Sequence, residues 1–291
     1  MQDYDKIDWI TSAKTLSEAL PYLKRYDSAT IVIKLGGAAM SNIENLSSFA
    51  RDIVLMKQCK VNPIIIHGGG PMINSALEKW GVSFNFIDGK RVTDESAVKI
   101  VEMVLSGDLN KNIVSSINSQ GGNGVGISGK DASLVICEKD HPKLGFVGRP
   151  ILINTKLITN LVENDFIPVI SPIGTNEKGE TFNINADTMA GSIASALKAD
   201  RLLLLTDVEG VKDKNGEKIE KAPLKEIKKL INQNIIKDGM IPKVNTAIDA
   251  IEKGVRAVVI LDGSIQNACL LELFTDHGVG TLIREEIGLM T

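Results

Sequence analysis

Cysteine and histidine are scarce in this 291-residue chain, which has only three residues of each type. Cys59, Cys137 and Cys269 lie far apart and show neither the spacing of a disulfide framework nor that of a metal site. His141 and His277 have no acidic or cysteine neighbours that indicate a metal. The sequence therefore predicts no metal held by protein side chains, and reduced thiols in a reducing compartment, which favours the cytoplasm.

The chain also lacks a strong charge of one sign and any long hydrophobic run. Its formal net charge is −3, which gives no reason to expect nucleic acid or an acidic membrane surface as a partner. The longest apolar runs, such as residues 202–205, are far too short to cross a bilayer. The N-terminus is acidic and lacks the basic start and apolar core of a secretory signal. These absences predict an ordinary soluble globular protein.

Short apolar runs alternate along the chain with stretches of helical length. This pattern predicts an α/β fold in which a mostly parallel sheet is covered by helices on both faces. In such sheets ligands bind beyond the carboxyl ends of the strands. Four turns that follow predicted strands are therefore expected along one edge of the sheet, at residues 36–37, 68–70, 206–210 and 262–263.

Residues 3–26 precede the first predicted strand as an arm. Leu16, Ala19, Leu20 and Leu23 form one apolar stripe, and Pro21 is expected to kink the helix or to mark its start. Such a stripe most often packs on its own domain. An oligomer contact is the alternative, because an arm outside a compact core has less of its own core to cover.

The most informative stretch is residues 31–37, Ile-Val-Ile-Lys-Leu-Gly-Gly. Its β-branched and apolar residues predict a buried strand that ends in a tight turn. Lys34 interrupts the run, and an unpaired ammonium at the buried end of a strand is costly, so it needs an anionic partner or a ligand. The alternative is an edge-strand lysine whose side chain extends to water.

Glycine clusters follow two predicted strands, at residues 36–37 and 68–70. Such clusters expose backbone N–H groups and let an anion approach, and a following helix adds its dipole. Two clusters favour a phosphate or carboxylate site, although glycine also serves plain tight turns. Residues 124–129 match the dinucleotide-binding fingerprint by letter, but β-prone residues follow instead of a helix, so we reject this interpretation. No Walker A sequence is present.

Four polar residues are candidates for a site. Lys243 lies at the predicted start of a helix, where the dipole disfavours a cation, so it either reaches an anion or faces solvent. Asp187 lies in the first turn of its helix, which suits a carboxylate, and it could also hold lysines by charge pairing. His67 is expected to be a structural donor at a strand end, and a catalytic base is the alternative. Asn183 is either a turn residue or a contact to a ligand.

Six motifs resemble those of the amino-acid kinase family. They are Val-Ile-Lys-Leu-Gly-Gly (32–37), Ile-His-Gly-Gly-Gly-Pro (66–71), Asp-Gly-Lys-Arg-Val-Thr (88–93), Asn-Ile-Asn-Ala-Asp (183–187), Thr-Asp-Val-Glu-Gly (206–210) and Asp-Gly-Met-Ile-Pro-Lys (238–243). They follow the family's order and span nearly the whole chain after the arm, so together they are highly specific. The resemblance is strongest to the members that act on N-acetylated glutamate.

The resemblance implies a three-layer αβα sandwich around a central, mostly parallel sheet. Residues 1–27 would be a helical arm for oligomer contacts, residues 28–173 a lobe that binds the acetylated amino acid, and residues 174–291 a lobe that binds ATP. Both lobes would share one continuous sheet. The implied reaction is ATP-dependent phosphorylation of the γ-carboxylate of N-acetyl-L-glutamate in arginine biosynthesis. The alternatives are phosphorylation of acetylaminoadipate in lysine synthesis and a catalytically silent amino-acid sensor.

The resemblance also implies the catalytic groups. Lys34 and Lys243 would stabilise the transferring phosphoryl group, and Asp187 would orient both lysines. Gly37 and Gly69 would donate backbone hydrogen bonds to phosphoryl oxygens.

The binding groups follow from the same resemblance. Arg91 would clamp the α-carboxylate of the substrate with its bidentate fork, and Asn183 and Gly70 would help to seat the substrate. The nucleotide site would be lined by Asp207, Gly210, Val211, Gly239 and Met240. Mg²⁺ would be held mainly by the ATP phosphates.

The arm resembles that of arginine-inhibited members, in which kinked helices interlace into a hexamer, a trimer of dimers, and arginine binds near them. Residues 270–281 also resemble this subgroup, whereas Asn267 stands where its members commonly have histidine. Inhibition by arginine is therefore a hypothesis. Some relatives bind the nitrogen sensor PII, and such a contact is a further hypothesis.

Overall fold

The computed structural model describes residues 9–37, 40, 42–87, 89–276 and 278–286, without the side chains of Ser12 and Thr15. The first eight residues of the predicted arm, Asp88 of the third motif and His277 lie outside these ranges.

The described residues form eleven α-helices and fourteen strands. The α-helices are Trp9–Glu18 (α1), Leu20–Arg25 (α2), Ile43–Gln58 (α3), Gly70–Lys79 (α4), Glu95–Glu102 (α5), Asn110–Ser119 (α6), Lys156–Glu163 (α7), Ala186–Leu197 (α8), Leu224–Asn232 (α9), Met240–Glu252 (α10) and Ala268–Phe274 (α11). The strands are Thr30–Leu35 (β1), Asn62–His67 (β2), Phe86–Ile87 (β3), Lys90–Arg91 (β4), Gly124–Ser128 (β5), Val135–Lys139 (β6), Gly148–Ile153 (β7), Ile167–Ser171 (β8), Ile173–Thr175 (β9), Thr181–Asn183 (β10), Arg201–Thr206 (β11), Lys221–Pro223 (β12), Val258–Asp262 (β13) and Thr281–Arg284 (β14).

Eight strands form the central sheet in the order β12-β14-β13-β11-β1-β2-β8-β5. Neighbouring strands from β13 to β5 are parallel, and β14 pairs antiparallel with β13. The carboxyl ends of β1, β2, β11 and β13 therefore lie along one edge, as the sequence predicted. The chain runs outward from β1 to β2 and later crosses to β11 on the other side of β1. Such a reversal of strand order is where these sheets bind ligands.

Smaller sheets border this edge. One contains four strands in the order β10-β9-β6-β7, and β3 pairs with β4 as a two-stranded hairpin. These elements carry Asn183 at the end of β10 and Arg91 at the end of β4.

Helices cover both faces of the central sheet. Ile31, Ile33 and Leu35 of β1 are wholly buried in the core that α3, α6 and α11 cover. Val32 points the other way, into the core that α8, α9 and α10 cover. Burial of each such side chain contributes about 1.5–3 kcal/mol. The predicted αβα sandwich is confirmed.

β1 is a central strand, hydrogen-bonded to β2 on one side and to β11 on the other. Its position contradicts the alternative that Lys34 belongs to an edge strand. Because side chains alternate along a strand, Lys34 points to the same face as Val32, the face that α8 covers.

The arm consists of α1 and α2, with Pro21 in the first turn of α2, as expected for a residue that marks a helix start. Tyr26, just after α2, packs edge-to-face on Phe274 of α11 with ring centroids 6.1 Å apart. Leu16 and Leu20 of the predicted stripe are 74% and 51% exposed. This part of the stripe does not pack on its own domain.

The helical region between β4 and β5 is continuous. A π-helical segment, Met103–Leu109, joins α5 to α6. By contrast, residues 124–128 form β5, and a short turn and then β6 follow rather than an α-helix. The rejection of the dinucleotide fingerprint is therefore confirmed.

The described part of the chain contains no helix long and apolar enough to span a bilayer. Cys59, Cys137 and Cys269 are all unpaired, and the last two are buried.

Candidate active site

Two lysines and an aspartate meet at the carboxyl edge of the central sheet. Asp187 Oδ1 lies 3.0 Å from Nζ of Lys34, and Asp187 Oδ2 lies 3.2 Å from Nζ of Lys243. The Lys243 contact is a hydrogen bond, whereas the Lys34 contact is an ion pair outside hydrogen-bond geometry. All three side chains are at most 17% exposed. Two positive charges thus face one negative charge in a nearly buried place, which suits a further anion.

Three elements bring these groups together: the end of β1, the first turn of α8 and the first turn of α10. Asn185 caps α8 by accepting the N–H of Thr188 at 3.1 Å, which defines where the helix begins. α8 and α10 approach closely at Gly191, where a Cβ would lie 2.8 Å from Cγ2 of Thr246. The close packing of these helices places their first turns side by side.

The charges of the two lysines control the ionisation of Asp187. Burial alone would raise the pKa of this carboxyl, but the charges of Lys34 and Lys243, together with the hydrogen bond from Lys243, outweigh burial, so its pKa lies below the ordinary value. Asp187 is therefore ionised at neutral pH. Its charge also offsets the unfavourable placement of Lys243 at a helix N-terminus.

Both predicted glycine loops lie at this edge, and packing requires glycine at one position in each. A Cβ on Gly36 would lie 2.4 Å from the carbonyl oxygen of Leu205 in β11. A Cβ on Gly69 would lie 2.5 Å from Leu109 and 2.6 Å from Leu105, both in the π-helical segment. The π-helical segment therefore packs directly on the loop at the start of α4.

A cleft of about 240 Å³ opens beside Lys34 and Asp187. Its walls combine glycine loops, polar side chains and an apolar side, and they include Gly37, Gly69, Gly70, Ile73, Arg91, Leu105, Val147 and Asn183. α4 begins at this cleft, so its first N–H groups and its dipole favour an anion there. The cleft is suited to a small acid that also has an apolar part.

Arg91 forms one wall of this cleft and is 7% exposed. Its Nη2 donates to Oδ1 of Asn74 at 2.5 Å and to the carbonyl oxygen of Gly70 at 3.3 Å. The rings of Phe84 and Phe86 lie 4.9 and 4.8 Å from Cζ. Nη1 is buried and has no hydrogen-bond partner among the described residues. Since an unpaired buried donor costs about 1–3 kcal/mol, an anionic ligand at Nη1 fits this geometry.

Asn183 lies at the end of β10, on the wall of the same cleft. Its Nδ2 donates to Oγ1 of Thr93 at 3.2 Å, and its backbone N–H donates to the carbonyl oxygen of Phe146 at 2.9 Å. The first contact orients the side-chain amide, whereas the second fixes the backbone, and contact of Asn183 with a ligand stays a prediction.

His67 is wholly buried at the end of β2. Its Nδ1 lies 2.9 Å from the carbonyl oxygen of Gly68, and its Nε2 lies 3.3 Å from Nδ2 of Asn110. Burial lowers the pKa of His67 to about 4, so the ring is neutral at physiological pH. The expectation of a structural histidine agrees with these contacts.

Three of the five predicted nucleotide residues, Asp207, Gly239 and Met240, lie near Lys243, on elements that do not line the cleft. Asp207 follows β11 and is exposed, and its pKa is lowered first by a hydrogen bond from the Thr206 hydroxyl and further by the charges of Lys243 and Lys34. Gly239 directly precedes α10, and Met240 is the first residue of that helix.

Gly210 and Val211 occupy a different environment from Asp207. Val211 is wholly buried, its N–H donates to Oγ1 of Thr281 at 2.8 Å, and its carbonyl oxygen accepts from Ile219 at 2.8 Å. Gly210 has a φ of +147°, which favours glycine. These two residues therefore shape the loop from inside, and their contact with a nucleotide stays a prediction.

A second cleft, of about 190 Å³, lies between the arm and the C-terminal segment, and we call it the acidic cleft. Glu272 and Asp276 contribute carboxylates, and the hydroxyl of Tyr22 in α2 donates to Asp276. Burial raises the pKa of Glu272, even though its Oε2 accepts the N–H groups of Val279 at 3.0 Å and Gly280 at 3.3 Å. A partly buried carboxylate of this kind gains from a cationic ligand.

Asn267 lies outside the acidic cleft, at the start of α11. Its N–H donates to Oγ of Ser48 in α3 at 3.4 Å. Next to it, the carboxylate of Asp52 accepts the N–H of Cys269 at 3.2 Å, and burial raises the pKa of Asp52 to about 7. Position 267, where the resemblance leads one to expect histidine, therefore lies at the contact between α3 and α11.

Sequence reasoning missed several of these groups. Asn74, Phe84 and Phe86 surround the guanidinium of Arg91, although nothing in the sequence singled them out. The alternation Phe84-Asn-Phe86 was an available signal, because residues two apart in an extended chain share a face. Their shared target, Arg91, became apparent only in the fold.

Comparison with known proteins is consistent with this geometry. A profile of the "Amino acid kinase family" matches residues 29–262. The acetylglutamate kinase of Ruegeria pomeroyi is 58% identical over 279 residues, which cover 96% of this chain and 97% of that protein. The smu.665 structure from Streptococcus mutans superposes with a TM-score of 0.75 at 31% identity. The match covers 88% of this chain and 99% of the smu.665 chain.

A longer protein shares the fold as well. The structure of N-acetylglutamate synthase from Neisseria gonorrhoeae, complexed with coenzyme A and N-acetyl-glutamate, has a TM-score of 0.85 at 25% identity. It covers 95% of this chain, which spans 64% of the synthase. The family match covers most of the sequence, and the curated relative matches over nearly its full length. The chain is therefore an enzyme of the amino acid kinase family.

Proposed function

We propose that this enzyme transfers the γ-phosphoryl group of ATP to the γ-carboxylate of N-acetyl-L-glutamate, a step of arginine biosynthesis. One observation carries the proposal: a cleft with the unpartnered Nη1 of Arg91 in its wall opens beside the pair formed by Lys34 and Asp187. A dicarboxylic acid has one carboxylate for Nη1 of Arg91 and a second carboxylate for the region beside Lys34. The full-length similarity to acetylglutamate kinases supports the same substrate.

The proposed chemistry needs positive charge more than it needs a base. A γ-carboxylate is already a nucleophile at neutral pH, so the barrier lies in bringing two anions together and in neutralising the transferring phosphoryl group. Lys34 and Lys243 supply charge from the two sides of Asp187, and backbone N–H groups of Gly37 and Gly69 supply directed donors. The dry, preorganised setting of the lysines strengthens these interactions.

Binding of the acid is assigned to the groups around Arg91. The free Nη1 would receive the α-carboxylate, while Asn183 and the N–H of Gly70 hold other polar atoms of the substrate. The apolar wall that contains Leu105 and Val147 suits the acetyl group.

Nucleotide binding is assigned to the edge beside Lys243, with Asp207, Gly210, Val211, Gly239 and Met240. No cluster of three or more metal-binding side chains occurs within the described ranges. Mg²⁺ is therefore proposed to be held mainly by the phosphates of ATP, where it supplies further charge neutralisation.

A hydroxamate assay tests the reaction, because hydroxylamine traps an acyl phosphate as it forms. We expect N-acetyl-L-glutamate with Mg-ATP to give product, and acetylaminoadipate to react with a kcat/KM about tenfold or more lower, since one methylene is worth about 1–3 kcal/mol. Arg91→Lys should raise the KM for the acid by about tenfold or more, because lysine lacks the bidentate fork. The KM for ATP should change little.

The matched control is Arg256→Lys, at an exposed arginine that pairs with Asp200 at 2.7 Å. It should leave both KM values unchanged. A preference for acetylaminoadipate would favour the lysine-synthesis reaction, and binding of both substrates without any hydroxamate would favour the silent sensor.

We further propose that arginine binds in the acidic cleft and inhibits the enzyme. The cleft combines the carboxylates of Glu272 and Asp276, which suit a guanidinium, with Arg25 and Arg201, which suit a carboxylate. Asn267 does not line this cleft, so the departure from histidine leaves its walls intact.

Arginine should raise the melting temperature of the enzyme and lower its activity, whereas citrulline, whose side chain is neutral, should do neither. Glu272→Gln should weaken the arginine effect by about tenfold. Since burial raises the pKa of Glu272, arginine should also bind less tightly as the pH falls through that raised value. Glu163→Gln, at an exposed position in α7, is the control. Saturating arginine without any effect on activity or melting would refute the proposal.

We propose that the arm mediates assembly into a hexamer, a trimer of dimers. Trp9 and Ile10 of α1 are 68% and 82% exposed, and with Leu16 and Leu20 they leave apolar surface uncovered. Sedimentation of the full chain at micromolar concentration should give a hexamer, and Leu16→Glu should reduce its size. A monomer in the unmodified chain would contradict the proposal.

A further inference from the structure

Thr281 is the first residue of β14 and is wholly buried. Its hydroxyl accepts the N–H of Val211 at 2.8 Å and donates to the carbonyl oxygen of Ile219 at 2.6 Å. Both partners belong to the loop that follows β11. A single buried hydroxyl thus joins the C-terminal strand to two positions of this loop.

These two positions close the base of the loop. The N–H of Ile219 donates to the carbonyl oxygen of Val211 at 2.8 Å, and Lys212 pairs antiparallel with Lys218 just beyond. Gly210, directly before this base, has no room for a side chain, because a Cβ would lie 2.5 Å from Oγ1 of Thr281. The hydroxyl therefore sets the conformation of the chain three residues after Asp207.

On its other side, Thr281 is continuous with the wall of the acidic cleft. The two residues before it, Val279 and Gly280, donate their N–H groups to Glu272. Lys218 of the loop donates to the carbonyl oxygen of Val279 at 3.0 Å. Residues 279–281 are thus held from two sides. Glu272 of the acidic cleft accepts their N–H groups, and the loop contacts them through Thr281 and Lys218.

We infer that the Thr281 hydroxyl is a positioning group that holds the loop of residues 207–219 in its ATP-binding conformation and couples this loop to the acidic cleft. The nucleotide part rests on the proposed function of the loop. A cation bound to Glu272 draws negative charge away from Oε2, the oxygen that accepts the N–H groups of Val279 and Gly280. Any shift of those residues reaches Val211 through Thr281, because the hydroxyl makes both of its hydrogen bonds to the loop.

The test compares Thr281→Val, which keeps the shape but removes the hydroxyl, with Thr281→Ser, which keeps the hydroxyl. Direct titration of the full-length enzyme with Mg-ATP should give a dissociation constant about fivefold or more higher for Thr281→Val, which corresponds to the net contribution of one of the two hydrogen bonds that this variant loses. Thr281→Ser should bind as the unmodified enzyme does. The KM for the acetylated acid should stay within about twofold in both variants. Inhibition by arginine should weaken in Thr281→Val and persist in Thr281→Ser.

Ser195→Ala is the matched control, because its hydroxyl donates to the carbonyl oxygen of Gly191 within α8 at 2.7 Å and touches neither the loop nor the cleft. If Thr281→Val does not fold, Lys218→Met breaks the other link from the loop to Val279 and should weaken arginine inhibition in the same direction.

Unchanged ATP affinity in a folded Thr281→Val variant would overturn the inference, as would an equal loss in Thr281→Ser. The titration measures ATP alone, so its result does not depend on the identity of the acid. A failure of the proposed reaction would instead appear as missing hydroxamate in the unmodified enzyme.

Discussion

Lys34→Ala should lower kcat for acyl phosphate formation by about a thousandfold or more, since removal of a single preorganised charge from a phosphoryl transfer site typically costs that much. Lys34 lies at the end of a central strand, 3.0 Å from Asp187, and its ammonium is nearly buried. Water cannot replace it there at comparable strength. Hydroxamate formation at saturating Mg-ATP and acid measures the loss, while the KM values should change far less because the lysine acts mainly on the transition state.

A second lysine with a largely buried side chain provides the control. Lys57 lies 3.2 Å from Asp165 at the opposite end of the sheet, and its side chain is 14% exposed. Lys57→Ala should leave kcat within about twofold of the unmodified enzyme. Normal hydroxamate formation by a folded Lys34→Ala variant would refute the assignment of Lys34 to the reaction.

Asp187→Asn should destabilise the protein by about 3–5 kcal/mol at neutral pH, because it leaves two nearly buried ammonium groups without a counter-charge. It should also lower kcat, since neither lysine keeps its orientation. Chemical denaturation monitored by circular dichroism gives the free energy of unfolding, and the hydroxamate assay gives kcat.

The pH dependence of this effect has a definite sign. The folded state lowers the pKa of Asp187 below its ordinary value of 3.8, so the aspartate contributes stability above that value and loses it as the pH falls through the folded pKa. The difference in unfolding free energy between the two proteins should therefore shrink in acid. Asp165→Asn, at an 87% exposed carboxylate paired with Lys57, should cost less than about 1 kcal/mol. Equal stability of Asp187→Asn and the unmodified protein at neutral pH would contradict the charge-pairing account.

Local sequence patterns predicted much of the fold. β1 and β2 were recognisable because parallel strands covered on both faces are continuous apolar runs. The π-helical segment was not predicted, since its distinguishing feature is a hydrogen-bond register that residue types do not specify. The edge-strand alternative for Lys34 could not be resolved either, because a strand's position in the sheet depends on pairing with β11, far away in the chain.

The site was predictable only in part, because the sequence does not show which distant residues meet. Motif resemblance pointed to Lys34, Asp187 and Lys243 one by one, but their separation along the chain says nothing about distance in space. Phe84 and Phe86 had no recognisable role until the hairpin placed them on Arg91. The acidic cleft was not visible in the sequence, because its walls come from α2, β11, α11 and the segment after α11.

The sequence by itself determined the class of fold, the order of its elements and the kinds of group available for chemistry, because these depend on periodicity, turn residues and motifs within short stretches. Only the tertiary structure decided which groups meet: two lysines on one buried carboxylate, an arginine with an unpaired donor, and a threonine between a loop and a cleft. Such contacts join residues that are distant in the chain, and their energies arise from burial and charge pairing that exist only after the sheet has formed.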